Sequence, residues 1–341
     1  KFYKNVIVPK GEVRAMWILT NIDKNQPAGI YKGRVNVLAD GTNTYTVNVS
    51  IQIKEHRIED KGYDTPANMS RLNWLDATRG IDDEVVAPYT PVTVEGKSFT
   101  ILGRKESIDK FGFPSKITSS FTGSNHQVDG PDKDILSGSI QLRLLKDGKE
   151  IKLKTKTLVI TSQSSGAVAW QSILSATDIE IIVHAKMECD GYINYETRIK
   201  AKNNTSLDDV QLVLPYNRST AKYLMGMGKR GGKIPDKLEW KWQQEYANNM
   251  LWVGDVNAGM QLKLKHVVPD WKIYGFENTG PYRDWSNEGN GGCTMYHTNA
   301  ATVVTAYTGP KNIARNGEMV LNFGVLITPF HPLANKHWSD R

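Results

Sequence analysis

Cysteine is nearly absent: Cys189 and Cys293 are the only two in 341 residues. That excludes a disulfide framework and leaves either one pair or two buried thiols. Long apolar runs are missing as well. No stretch approaches the roughly 18 to 20 apolar residues of a membrane span. The seven histidines show no paired ligand spacing and no HExxH motif. Asp129, Asp132 and Asp134 form an acidic loop without the spaced oxygen ligands and closing glutamate of an EF-hand. No metal and no cofactor is therefore expected. The net charge is +7, but blocks of like charge are lacking. Lysines such as Lys146, Lys149, Lys152, Lys154 and Lys156 stand singly among strand residues, which sets nucleic acid aside as a partner. No G-x-S-x-G elbow is present to anchor a catalytic serine. The chain opens on KFYKNVIVPKGEV, which reads as mid-strand, so the expectation is that an upstream part, export signal included, has been removed.

What remains is ordinary globular composition, 39% hydrophobic and 23% charged, over a length sufficient for two domains. The dominant pattern is β. Val35, Val37, Tyr45, Val47, Val49, Ile51 and Ile53 alternate with polar partners, the period-2 mark of half-buried strands. Ala39-Asp40-Gly41-Thr42 reads as the hairpin turn between them. Residues 1–57 are thus the closing strands of a small sandwich. Residues 58–84 turn polar, with a short helical period through Met69, Leu72 and Leu75, and read as a linker. Strands resume and continue through residues 85–331. Asp147-Gly148, Asp190-Gly191 and Asn316-Gly317 mark hairpins between them. So many antiparallel runs predict a large sandwich, with no βαβ crossover. Residues 332–341 read as the start of a further linker.

The run Gly226-Met227-Gly228-Lys229-Arg230-Gly231 spells G-x-G-x-x-G. A dinucleotide site needs that loop between a strand and a helix. Here Pro235 follows closely and no amphipathic helix comes after, so a glycine-rich loop at a sheet end is the better reading.

The most distinctive segment is Trp240–Gly292, which holds five of the nine tryptophans: Trp240, Trp242, Trp252, Trp271 and Trp285. Carboxylates and amides lie among them. A flat indole covers the apolar face of a sugar ring while amides and acids take its hydroxyls, but sheet interiors also take tryptophan. Trp240 and Trp242 sit two apart, on one face of a strand, and read as sheet core. Trp285 lies in the polar run Asp284-Trp285-Ser286-Asn287-Glu288, with few core partners in sequence. Trp285, Asn287, Glu288, Trp252 and Asp255 are the candidate sugar-binding residues. For Asp255 the competing reading is a turn residue capping backbone amides between two strands. Glycosidase chemistry needs two carboxylates across a scissile bond. Glu239, Glu245, Asp255, Asp284 and Glu288 are available, and spacing does not pair them.

The phrases SRLNWLDATRGIDDEVVAPYTPVTVEGKSFTILGRK, FGFPSKITSSF, YLMGMGKRGG, LWVGDVNAGMQLKLK, WSNEGNGG and VLITPFHPL resemble the non-catalytic N-terminal region of bacterial glycoside hydrolase family 123-like proteins, common in gut Bacteroidetes. The resemblance covers roughly residues 65 to 338. It implies an all-β chain: a small Ig-like β-sandwich, then a large antiparallel β-supersandwich of the galactose mutarotase kind. Family members continue into a catalytic barrel of roughly 250 residues that holds the catalytic acids, so the resemblance implies either that this barrel has been cut away after Arg341 or that this is a natural relative without one. No catalytic residue is carried onto this chain. The expected role is an exported accessory region, periplasmic or on the cell surface, that supports the barrel and contacts glycan. The alternative is a stand-alone mutarotase- or lyase-like enzyme, for which His184, His297, Tyr195 and Tyr296 are available as bases.

Overall fold

In the computed structural model, the described residues are 8, 10–11, 13–16, 18, 20, 22–38, 44–57, 83–242, 249–265, 284–334 and 337. The chain divides into two compact units, Lys1–Arg79 and Gly80–Arg341. In the first, β1 (Gly29–Val37) and β2 (Tyr45–Ile53) form an antiparallel hairpin, with Val35 opposite Val47. The alternation predicted half-burial. Most residues of the pair are in fact exposed, with Val35, Val37, Ile51 and Ile53 partly covered. The 39–42 turn, the 58–82 stretch that was read as linker helix, Glu245 and Trp271 lie outside the described residues.

Among the described residues the second unit is built of strands, with one 3-10 turn at Asn287–Gly289. A five-stranded sheet is built in sequence order from β3 (Thr93–Glu95), β4 (Ser98–Ile101), β5 (Arg104–Ile108), β6 (Pro114–Ser119) and β7 (Lys133–Asp134). There follow β8 (Gln141–Lys146), β9 (Lys149–Glu150), β10 (Lys154–Gln163), β11 (Ala167–Ser175), β12 (Ile179–Glu188), β13 (Tyr192–Ala201), β14 (Thr205–Leu207), β15 (Asp209–Asn217), β16 (Tyr223–Gly226), β17 (Lys229–Lys233) and β18 (Lys237–Lys241). The last are β19 (Met250–Asp255), β20 (Ala258–Lys265), β21 (Gly292–His297), β22 (Ala301–Tyr307), β23 (Lys311–Ile313) and β24 (Glu318–Thr328). Nine of them make one sheet in the order β10-β11-β12-β13-β24-β20-β19-β16-β17, and six make another in the order β18-β21-β22-β15-β8-β9.

Strict alternation explains the layering. Along β13, Ile193, Tyr195, Thr197 and Ile199 are buried while their neighbours are partly or fully exposed, so one face of the nine-stranded sheet is core and the other is open. The six-stranded sheet packs on the core face, where the Tyr216 hydroxyl donates to Met260 O at 3.2 Å. The five-stranded sheet covers the rest. Phe99 sits 5.0 Å from Trp170 and Phe113 sits 5.6 Å from Tyr195, centroid to centroid. Asp147-Gly148 and Asp190-Gly191 turn the β8–β9 and β12–β13 hairpins, with Asp147, Gly148 and Gly191 at positive φ. Asn316-Gly317 does not make the predicted hairpin: it joins β23 to β24, which lie in different sheets. Both cysteines are free and buried. No helix among the described residues is long and apolar enough to cross a membrane.

Candidate functional site

The open face of the nine-stranded sheet carries one unusually seated aromatic. Trp252, half-buried on β19, projects outward. Its neighbours on the same face are Gly254 on its own strand and Gly259 across the pair. A Cβ at Gly259 would lie 2.8 Å from Trp252 Cζ2, and one at Gly254 2.9 Å from the same atom. Both glycines are therefore required by the ring, which lies against bare backbone. The indole N–H donates to Thr328 Oγ1 at 2.8 Å, fixing the ring's rotation.

Beside this ring is an open cleft of about 200 Å³ lined by Trp252, Asn125, Val256, Thr328, Phe330 and His331, with Pro329 and Leu333. Asn125 is 8% exposed. Its Nδ2 donates to Val256 O at 2.8 Å, which orients the amide and leaves Oδ1 buried with no hydrogen-bond partner among the described residues. The far wall is held by Arg104, which sequence reasoning did not single out. Its guanidinium is buried and donates to the carbonyls of Leu102, Asp190, Ile327 and Phe330 at 2.7–3.0 Å. Burial pulls its pKa down to about 10, partly offset by Asp190. It pins the strand end that supplies Thr328, Pro329 and Phe330.

The other sequence candidates fall elsewhere. Trp285 is 0% exposed. Its N–H donates to Asn322 O at 2.8 Å, and its ring packs edge-on to Phe323 at 6.3 Å. The reading of Trp285 as a sugar-stacking ring is corrected: Ser286 is buried with it, only Glu288 of the polar run is fully exposed, and the indole enters the core and shows no face to solvent. Asn287 ties its loop down, with Nδ2 donating to Thr308 O and Pro310 O at 2.9 and 2.8 Å. Glu288 is exposed, at φ 57°. Trp240 and Trp242 pack against the core with centroids 4.9 Å apart.

Asp255 is 7% exposed and ends β19. Its carboxylate accepts from Lys222 at 2.8 Å, Lys133 at 3.2 Å and the Val256 N–H at 2.8 Å. Burial alone would raise its pKa, but the two ammonium groups and the amide outweigh it and hold the carboxyl below its ordinary range. This is the capping arrangement, reinforced by two ion pairs. Asp132 takes the Ser120 hydroxyl and Asp134 pairs with Lys116. The glycine run turns the β16–β17 hairpin, with Gly226, Met227 and Gly228 all at positive φ, so it joins strand to strand.

The four possible bases do not converge. Tyr195 is buried in the core, while His184 is on the opposite face of the same sheet. Its Nε2 lies 3.4 Å from Gln171 Nε2. His297 belongs to the six-stranded sheet and bonds Thr302 and Pro235 O. Tyr296 beside it is exposed.

Residues 92–329 match the family model described as glycoside hydrolase 123, third domain. The chain belongs to that family. The glycoside hydrolase 123 third domain thus spans all of β3–β23 and β24 itself, and the likeness carried by the sequence phrases is borne out. Its fold class is all-β, a large antiparallel supersandwich. No curated protein matches the chain. Among solved structures it is similar to a putative aldose 1-epimerase from Escherichia coli K12, 5% identical, TM-score 0.39, over 70% of this chain and 98% of that one. It is also similar to a GalM/aldose epimerase homologue from C. elegans, 7% identical, TM-score 0.41, over 70% and 98%. Heparan sulfate lyase HepC from Pedobacter heparinus is 7% identical at TM-score 0.36, over 70% of this chain and 34% of that one.

Proposed function

We propose that this glycoside hydrolase 123 domain is a non-catalytic accessory region of an exported, glycan-degrading hydrolase, and that it contacts carbohydrate at the Trp252 cleft. The observation that carries the reading is the seating of Trp252. One ring face rests on Gly254 and Gly259, and the ring borders an open cleft. A fixed aromatic ring at the edge of a cleft is what a sugar's apolar face requires. The dispersal of His184, His297, Tyr195 and Tyr296 supports the accessory role over a stand-alone mutarotase or lyase. Further support for a parent hydrolase comes from the family name. Calorimetry against oligosaccharides containing N-acetylgalactosamine, with Trp252→Ala alongside, tests the contact. Binding that disappears in the variant is expected, and absence of any glycan binding sinks the reading. Release of unsaturated products from uronic-acid glycans by the purified chain would overturn the non-catalytic part.

A further inference from the structure

The Trp252 ring stands in a cross-strand row. Met225, Trp252, Gln261, Leu326 and Tyr192 stand directly opposite one another on β16, β19, β20, β24 and β13, all on the open face. From Trp252 to Tyr192 is three strand spacings, about 14 Å. Tyr192 is seated in the manner of Trp252. A Cβ at Gly324 would come within 3.0 Å of the Tyr192 ring carbon Cε2, so this ring too lies over a glycine. The next row on the same face, Met250–Lys263–Gly324–Asn194, adds hydrogen-bonding groups along the first. Lys265 follows Lys263 by two residues. Its Nζ lies 4.8 Å from the Tyr192 ring centroid and donates to Asn194 Oδ1 at 2.7 Å.

Charge on this face is unevenly spent. Lys186 pairs with Asp83 at 2.6 Å and Glu188 at 3.5 Å, and Arg198 with Glu196 at 2.7 Å and Glu318 at 2.9 Å. Lys263 and Lys265 have no carboxylate within ion-pair distance among the described residues. Burial, then the neighbouring Lys263, lowers the Lys265 pKa, with Glu188 acting the other way. An anion between the two ammonium groups removes that repulsion. Two rings seated on glycines, the amides of Gln261 and Asn194, and a lysine pair without a carboxylate at ion-pair distance among the described residues share this surface.

We propose that the open face from Trp252 to Tyr192 binds an acidic glycan chain running across the strands, with Lys263 and Lys265 taking its carboxylate or sulfate. The inference rests on the carbohydrate reading of the Trp252 cleft and adds the class of glycan and its path. The shared chemistry is an anionic group on a sugar ring, and the ligand's two sources are separated by the test.

The full chain is titrated calorimetrically with an oligogalacturonate tetrasaccharide, a sulfated glycosaminoglycan tetrasaccharide and cellotetraose, at low salt and at high salt. At least one acidic ligand is expected to bind tenfold or more tighter than the neutral one, with the advantage shrinking as salt rises. The variant Lys263→Gln/Lys265→Gln removes that advantage, whereas Lys229→Gln/Lys233→Gln on the β17 edge leaves it intact. The lysine pairs are at the surface, and a thermal melt verifies that both variants fold. Tyr192→Ala weakens the tetrasaccharide but leaves the corresponding monosaccharide unchanged. Equal affinity for acidic and neutral ligands, or an equal loss in both double variants, overturns the acidic-chain proposal while leaving the Trp252 contact standing. Failure of all three ligands and of the N-acetylgalactosamine oligosaccharides overturns both.

Discussion

Trp252 donates its indole N–H to Thr328 Oγ1 at 2.8 Å across the β20 strand that separates them. The bond spans Gly259, which pairs with Thr328 on one side and Gly254 on the other. A residue with a side chain at either glycine would lift the ring off the sheet. The local sequence Gly254-Asp255-Val256-Asn257-Ala258-Gly259 is therefore one device. Its turn is held by Asp255, and its two glycines make the bed on which the tryptophan lies.

Gly259→Ala is expected to displace the indole, because the new methyl meets Cζ2 at 2.8 Å and Thr328 Oγ1 at 3.0 Å. Overpacking of this kind costs about 1–3 kcal/mol. Tryptophan fluorescence should shift to the red and glycan affinity should fall at least as far as in Thr328→Val, which removes only the hydroxyl acceptor. An unchanged emission spectrum would mean that the ring is not seated as described.

Trp285→Ala is expected to damage the fold. It empties a fully buried site and orphans the Asn322 carbonyl. Large-to-small changes of this size cost about 3–5 kcal/mol. Trp285→Phe should recover most of the packing but leave the carbonyl without its donor, at about 1–3 kcal/mol. Urea unfolding curves for the three proteins give the ordering. A near-wild-type midpoint for the alanine variant contradicts a core role.

These two tryptophans show what was legible in the sequence. Period-2 alternation and the Asp-Gly and Asn-Gly turns carry local information, and strands formed where those signals lay. Trp240 and Trp242 were assigned to sheet core by the same rule. Trp285 defeated it. Its sequence neighbours are polar, but its spatial neighbours, Phe323 and Asn322, lie more than thirty residues onward. The Asn125 and Phe330 walls of the cleft, and the Trp252–Tyr192 row, depend on register among strands far apart in the chain, which no local pattern encodes. For Asp255 the turn-cap reading was available from the sequence, whereas its two lysine partners come from β7 and from the residue just before β16.

Asp255→Asn should destabilise the protein at neutral pH and cease to matter in acid. Burial disfavours the carboxylate, but Lys222, the Val256 amide and Lys133 more than compensate, so the folded-state pKa lies below the ordinary 3.8. A depressed carboxyl contributes stability above its unfolded pKa and loses it as pH falls through the folded value. Melting temperatures of wild type and variant should therefore differ at pH 7 and converge as pH falls through the depressed folded-state pKa. A constant gap across that range would assign the effect to hydrogen bonding alone.

Glu106 presents the opposite sign. It is 1% exposed on β5, and neither carboxylate oxygen has a hydrogen-bond partner among the described residues. The Tyr195 hydroxyl, similarly unpartnered, is close enough for the Glu106 charge to raise its pKa further, after burial. Burial raises the Glu106 pKa from 4.5 to about 8. Below pH 4.5 both folded and unfolded chains hold this proton, and the group adds no pH dependence. Between pH 4.5 and 8 the unfolded chain releases it while the folded chain keeps it, so stability falls as pH rises, by up to 1.36 kcal/mol per unit from this residue. Over the whole interval that amounts to about 4–5 kcal/mol. Glu106→Leu, similar in bulk and uncharged, should remove that slope and leave the protein more stable than wild type at pH 8. Denaturant midpoints at pH 5 and pH 8 decide the matter. Parallel pH profiles for the two proteins would show that the carboxyl ionises freely in the folded state, and hence that water reaches the space between β5 and β13.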